Sequence, residues 1–230
     1  MPGHPLQHFL SFFSGKFPGI VLRRLFFIMA AVFGGLVAVA IFLYPGYTFF
    51  DYSVSSLGAW HKNPAGWWAF SAAMWAMGIM AVPFFMHVKR KFEKYTPRFA
   101  RLFQACVLVT SGGMIALGFF PESPGTEIFH YTAAGFIFIG FFVDACISWI
   151  SLDRMACAAI SHPRKTAIIA SLVLMVAAFF IVLLGMAMTY IVSRSTFLSS
   201  VYFWEWCYLL VSIGFYLLLL EMVVSRDPEL

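Results

Sequence analysis

The sequence predicts an all-α integral membrane protein, a bundle of six transmembrane helices with both termini in the cytoplasm. Of its 230 residues, 62% are hydrophobic and only 11% are charged, whereas a soluble domain carries about 25% charged residues. Several apolar stretches reach the roughly 18 residues that a bilayer-crossing helix requires. A membrane β-barrel would instead show alternating strands of about 10 residues.

The apolar stretches place six predicted spans within one transmembrane domain, residues 20–224. The spans cover approximately residues 20–44, 64–88, 102–120, 127–151, 166–190 and 200–224. Residues 1–19 form a cytoplasmic segment without a signal-cleavage pattern, so the first span is expected to remain as an anchor. Residues 225–230 form a cytoplasmic tail. Asn63 and Pro64 predict the cap and first turn of the second helix.

The positions of lysine and arginine predict the orientation of the bundle. Of the 15 Lys and Arg residues, all but Lys62 and Arg194 fall in segments assigned to the cytoplasmic side. Short cytoplasmic loops carry such an excess of positive charge. The net charge of +5 is therefore explained by topology, and no nucleic-acid partner is expected.

The cysteines indicate neither a disulfide framework nor a metal site. They lie scattered in or beside the predicted spans, without a Cys-x-x-Cys pair, at Cys106, Cys146, Cys157 and Cys207. We interpret them as small apolar packing residues.

Polar and ionisable side chains concentrate on the outward side of the predicted bundle. Charged groups are costly in a membrane, so each requires a structural or functional reason. The side chains assigned to this side are Asp51, Ser53, Ser55, Ser56, His61, Glu122, Glu127, His130 and Glu205. Glu205 is expected about 7 Å below the outer end of its helix. We expect a cavity open to the outer leaflet, lined by Asp51, Ser55, His61, Glu122, His130 and Glu205. The helix starts at Pro64 and Glu127 would favour a phosphate head group there.

His130 and Asp144 are expected to share one face of the predicted fourth helix. They are separated by about 21 Å along the axis and by about 40° around it, and this face should point into the bundle. Asp144 is interpreted as a functional acid or as a structural partner for a neighbouring helix or Arg154. For His130, the alternative is an ordinary interfacial residue.

The other acids also have plain structural interpretations. Glu205 is flanked by Trp204 and Trp206, so its carboxylate can reach water from within an aromatic belt. Asp51 and Glu122 lie in loops, where acids are commonly just solvated. The three serines of the first loop favour turn and capping interactions.

Histidines and carboxylates grouped at one membrane face are nevertheless typical of catalytic and metal-binding sites. In an acid–base site, His130 would be the base, with Glu122 and Asp51 as the catalytic carboxylates. His61 and His130 are candidate ligands for zinc, although neither an HExxH nor a GxSxG motif is present. The residues assigned to ligand binding are Ser55, His61, Glu205 and Asp144.

A transmembrane haem carrier is a further alternative. His61 and His130 are assigned to the outer side, and His87 and His162 to the inner side, as two bis-histidine haems would require. The loop positions of His61 and His162, each shortly before a helix that starts with proline, argue against this alternative.

Two loop segments resemble the DUF998 family of prokaryotic six-span proteins. They are Asp51-Tyr-Ser-Val-Ser-Ser-Leu-Gly58, followed by Pro64, and Gly118-Phe-Phe-Pro121-Glu122, followed by His130, Ala134 and Phe138. The family is similar to the wider Frag1/DRAM/Sfk1 group of six-span membrane proteins. The resemblance implies a location in the prokaryotic cell membrane and maps onto Ser55, Leu57, Gly58, Pro64, Pro121, Glu122 and His130. It also implies lipid handling.

These observations favour a protein that binds or handles membrane lipids at an outward polar site, without established catalysis. The first alternative is a lipid-modifying hydrolase or transferase with a histidine–carboxylate site, with or without zinc. The second is a haem electron carrier or an accessory subunit of a larger membrane complex. A homo-oligomer is also consistent with the sequence.

Overall fold

The computed structural model describes residues 5–156, scattered positions between 166 and 184, and residues 201–224. The helices with continuous bounds are α1 (Pro5–Phe13), α2 (Gly19–Phe42), α3 (Trp67–Glu93), α4 (Pro97–Phe119), α5 (Glu127–Ala156) and α6 (Val201–Val224). Within the described part of the chain, 5 helices, α2 to α6, are long and apolar enough to cross a membrane. The all-helical prediction is thus confirmed for the described residues.

The observed helices depart from the predicted spans at several boundaries. Helix α4 begins at Pro97, five residues before the predicted start at residue 102. The N-terminal segment contains helix α1, which was not predicted from the sequence. Helix α5 continues beyond residue 151 to Ala156. The predicted fifth span, residues 166–190, lies largely outside the described residues, although its described positions are helical.

Helix α3 begins at Trp67, three residues later than the predicted start at Pro64, because Asn63 has a different role. The Asn63 amide nitrogen donates to the carbonyl oxygens of Ala40 (3.0 Å) and Leu57 (2.8 Å), and its amide oxygen accepts from the backbone N–H of Gly66 (3.0 Å). The side chain is 0% exposed. Asn63 therefore ties the end of α2 to the turn before α3.

Helices α3, α4 and α5 pack closely through glycines. A Cβ placed on Gly78 of α3 would lie 2.8 Å from the Ser111 carbonyl oxygen of α4. A Cβ placed on Gly113 of α4 would lie 3.1 Å from the Ala133 carbonyl oxygen of α5. Small residues at such crossings let helix backbones approach within a membrane, where van der Waals packing drives association.

Helix α6 is joined to α2 by an ion pair. Arg23 Nη2 lies 2.6 Å from Glu221 Oε2, with both side chains partly exposed. The ring of Tyr216 on α6 lies 4.9 Å from that of Phe85 on α3. Arg23 thus has a specific partner at the end of the bundle where α2 begins.

We expect Gly78→Ala to lower stability by about 1–3 kcal/mol, because the added methyl group meets the Ser111 backbone, which cannot rotate away. The melting temperature of the purified protein in detergent measures the effect. Gly112→Ala on α4 is the matched control, since its Cβ would meet nothing within 4 Å. Equal melting temperatures for the two variants would contradict the packing described here.

Candidate functional site

The loop between α2 and α3, residues 43–66, folds into a cap over one end of the bundle, which we call the cap end. The Ser56 N–H donates to Ser53 Oγ (3.0 Å), and Ser56 Oγ donates to the Ser53 carbonyl oxygen (2.8 Å). These bonds stabilise the start of a 3₁₀ turn, Ser55–Gly58. Leu57 is fully buried beneath the turn. The serine-rich motif therefore builds a turn, and this turn presents the hydroxyls of Ser53 and Ser55.

Both hydroxyls converge on Glu122, in the loop between α4 and α5. Glu122 Oε2 accepts from Ser53 Oγ (3.0 Å) and Ser55 Oγ (2.9 Å). Glu122 Oε1 accepts from Lys62 Nζ (3.0 Å). We call Ser53, Ser55, Lys62 and Glu122 the Glu122 cluster. It joins two loops that are separated by a whole helical hairpin.

The Glu122 cluster holds both of its charges near neutral pH. Burial alone would raise the pKa of Glu122, but Lys62 and the two serine hydroxyls outweigh it and lower this pKa below its usual value. Burial alone would lower the pKa of Lys62, but the hydrogen bond and charge of Glu122 raise it instead. Glu122 is thus an ionised acceptor, suited to positioning Lys62 and poorly suited to donating a proton.

Glu205 on α6 contacts the cap beside the Glu122 cluster. Its carboxylate accepts from the backbone N–H of Val54 at 3.3 Å. The neighbouring Trp206 donates its indole N–H to the Tyr47 hydroxyl at 3.0 Å. Glu205, predicted to lie within an aromatic belt, therefore anchors the cap to α6.

His130 lies in the first turn of α5 and is only 1% exposed. Its Nδ1 is 3.0 Å from the Phe120 carbonyl oxygen. A carbonyl only accepts, so Nδ1 carries the proton and Nε2 keeps its lone pair when the ring is neutral. Thr126, the residue before α5, donates its hydroxyl to the carbonyl oxygens of Pro121 (2.6 Å) and Ser123 (2.9 Å).

Asp51 and His61 share the cap but not the bonds of the Glu122 cluster. Asp51 is exposed and accepts from Thr48 Oγ1 at 2.5 Å, a local turn interaction. His61 is also exposed. Within the described ranges, no three His, Cys, Asp or Glu side chains are grouped as a metal site would require. Both residues remain predicted site residues that the cluster does not use.

Asp144 lies deep in α5 and is 0% exposed, consistent with an inward-pointing face shared with His130. Neither carboxylate oxygen has a hydrogen-bond partner among the residues described. Arg154, its suggested partner, instead lies over the Phe99 ring at 5.9 Å. Of the inner histidines in the haem alternative, His87 stacks on Phe17 at 5.0 Å, and His162 lies outside the described residues.

Sequence reasoning missed the roles of Lys62, Ser53 and Asn63. Lys62 was counted only for topology, and Ser53 only for turn formation. The one signal that could have identified Lys62 was its position as the one lysine or arginine in a loop rich in aromatic residues. Its partner lies 60 residues away, a separation that local patterns do not reveal.

The fold and the site define a polytopic helical membrane protein whose cap is fixed by a partly buried ion pair. Residues 15–213 match the family described as "Protein of unknown function (DUF998)". The chain therefore belongs to this family, and the family resemblance found in its loops is confirmed. No curated protein and no solved structure matches the chain. The matched range contains the whole Glu122 cluster, His130 and Glu205.

We expect Glu122→Gln to destabilise the protein by about 1–3 kcal/mol at neutral pH, because Lys62 loses its counter-ion. The lowered folded-state pKa of Glu122 means that this contribution is present above the unfolded pKa of about 4.3 and is lost as the pH falls through the folded value. The raised pKa of Lys62 preserves the contribution up to about pH 10. The difference in melting temperature between wild type and E122Q should therefore be constant from about pH 6 to 9, shrink once the pH falls below about 4.3, and vanish beneath the lowered folded-state pKa of Glu122.

The control is Glu127→Gln, at the first residue of α5. Glu127 is exposed, and its carboxylate accepts only the backbone N–H of Gly125 among the described residues, a bond that glutamine can also accept. A pH-independent difference for E122Q, or an equal loss in E127Q, would show that the Glu122 cluster does not stabilise the cap electrostatically.

Proposed function

We propose that this protein is a six-span protein of the prokaryotic cell membrane that binds phospholipid head groups at its cap end, which faces outward, and does so without catalysis. Both termini then lie in the cytoplasm. The observation that carries the proposal is the Lys62–Glu122 ion pair, held by serine hydroxyls within a rim of exposed aromatic side chains.

The aromatic rim supports a position at the level of the lipid head groups. Tryptophan and tyrosine are enriched at membrane–water interfaces, where their amphipathic rings fit. Large aromatic side chains are exposed at the ends of the cap and of the helices beneath it: Phe49, Phe50, Trp60, Trp67, Trp68, Phe119, Phe120 and Tyr202. The Glu122 cluster, at the same end of the bundle as these side chains, would lie among phosphate and glycerol groups.

The charges of the Glu122 cluster favour a zwitterionic head group. Lys62 is about one-third exposed, with 35% of its side chain accessible. Its ammonium has three donor hydrogens, of which the described contacts use one, on Glu122. The others can bind phosphate oxygens, while Glu122 lies close enough to attract a head-group amine. Because the ion pair is neutral overall, a purely anionic lipid gains less from this site.

The orientation is supported by the basic residues at the other end of the bundle. The last turns of α3 carry Lys89, Arg90 and Lys91, and Lys94 follows the helix. The first turns of α4 carry Arg98 and Arg101. In the described part of the cap end, Lys62 is the one Lys or Arg residue. Short cytoplasmic loops carry the excess of such residues.

Cysteine accessibility tests this orientation. In a variant whose four native cysteines are replaced, we expect Asp51→Cys to react with a membrane-impermeant maleimide in intact cells. Tyr95→Cys, between α3 and α4, should react only after the membrane is permeabilised. Labelling of Tyr95→Cys in intact cells would overturn the proposed orientation.

Lipid retention tests the binding site. In protein purified in mild detergent and titrated with phosphatidylethanolamine, we expect Lys62→Met to weaken binding about tenfold or more, the loss of one charge-assisted contact with phosphate. Native mass spectrometry measures the bound lipid. Glu127→Gln is the control and should bind like wild type. Unchanged binding in K62M would refute a head-group site at the Glu122 cluster.

A second candidate, a lipid-modifying hydrolase or transferase, is favoured by the fixed tautomer of His130. The Phe120 carbonyl orients the ring so that Nε2 can accept a proton, the arrangement of a general base. In the same titration, the enzyme candidate requires conversion of the bound lipid, and His130→Gln should abolish this conversion while binding persists. Lipid that remains intact in wild type would favour binding alone.

A further inference from the structure

A basic groove lies at the end of the bundle opposite the cap. It is formed by the turn after α1, the C-terminal end of α3 and α4, and it encloses about 750 Å³. Its charged lining consists of Lys16, Lys89, Arg90, Glu93 and Lys94. This volume is within the range of small-molecule sites, about 300–1,000 Å³.

The turn that carries Lys16 is fixed against α3. Gly15 has a φ of +71°, and a Cβ at this position would collide with the backbone of Met86 and His87. The Phe17 ring stacks on His87 at 5.0 Å and lies 5.3 Å from Phe12. Lys16 is therefore held at the groove by close backbone packing on one side and by stacked rings on the other.

The groove carries an excess of positive charge. Lys89 Nζ lies 2.9 Å from Glu93 Oε2, one helical turn away. Lys16, Arg90 and Lys94 are exposed and have no ion pair within the described part of the chain. Three cations thus remain available for an anionic ligand.

The rest of the lining is apolar and extends towards the membrane interior. Val82 and Met86 line the groove from α3, and Leu108 lines it from α4. Val82 lies seven residues before Lys89 on the same helix, about 10 Å deeper along the axis. The groove therefore changes from charged to apolar in the direction in which a phospholipid changes from head group to acyl chain.

Helix α1 places the groove mouth at the membrane surface. Its side chains Leu6, Phe9 and Leu10 are each more than half exposed. Short helices with exposed apolar side chains beside basic residues lie in the interface plane of membranes. Basic pockets at the ends of transmembrane helices are typical binding sites for anionic head groups.

We propose that this groove binds one anionic phospholipid, with its phosphate contacting Lys16, Arg90 and Lys94 and an acyl chain lying along Val82, Met86 and Leu108. The site differs from the Glu122 cluster in place and in charge, and it does not depend on the function proposed for the cap. It makes the protein selective for anionic lipid at one end of the bundle.

Binding of defined lipids to the full-length protein in detergent tests the proposal. We expect dioleoyl phosphatidylglycerol to bind at least about tenfold more tightly than dioleoyl phosphatidylcholine, and the triple variant Lys16→Gln, Arg90→Gln, Lys94→Gln to lose this preference. Native mass spectrometry counts the bound lipid. Glu127→Gln, at the cap end, should keep the preference, because it leaves both the groove and the Glu122 cluster intact.

The matched control removes the same charge from the same end of the bundle. Arg24, Arg98 and Arg101 are exposed and do not line the groove, so their triple replacement by glutamine should leave the preference intact. An equal loss in both triple variants would overturn the site in favour of diffuse surface attraction. Competition by inorganic phosphate as effective as that by phosphatidylglycerol would overturn the lipid as ligand in favour of a free anion.

Discussion

The ion pair between Lys62 and Glu122 is the interaction on which the cap depends. A carboxylate that is largely removed from water needs compensation, and Glu122 receives it from one ammonium and two hydroxyls. Since these donors all come from the loop between α2 and α3, their geometry fixes this loop over the ends of α4 and α5. Glu205 and Trp206 add contacts from α6. The cap is thus held from two sides by bonds whose donors and acceptors lie far apart in the chain.

The two ends of the bundle differ in their electrostatics. At the cap end, Lys62 pairs with the carboxylate of Glu122, so the Glu122 cluster carries no net charge. At the other end, three cations of the groove remain without an ion pair in the described part of the chain, and glycine packing against α3 fixes one of them. A phospholipid with both an amine and a phosphate fits the first environment, and an anionic phospholipid fits the second. Under the two proposals, a single helical scaffold binds a zwitterionic lipid at one end and an anionic lipid at the other.

The sequence predicts the long helices well because continuous apolar stretches are local features. It misses α1, whose nine residues are too short to signal a span and whose following turn is fixed by contacts with His87 on another helix. It also misplaces the start of α3, because the carbonyl partners of Asn63 include Ala40, which no local pattern associates with it. At the candidate site, Glu122 and Ser55 are identified from the sequence, but the ion pair is not. Its two residues lie in different loops, and only tertiary packing brings them together.

The closely packed glycines have a consequence for membrane insertion. Helices α3, α4 and α5 contact one another in chain order, so each can dock on its predecessor as it enters the bilayer. The cap cannot follow this order. The loop that carries Ser53, Ser55 and Lys62 is synthesised before α3, whereas their common acceptor, Glu122, follows α4. These bonds can therefore form only after α3 and α4 have been inserted. Assembly of this protein therefore separates into an early stage of helix docking and a later stage in which the loops lock together.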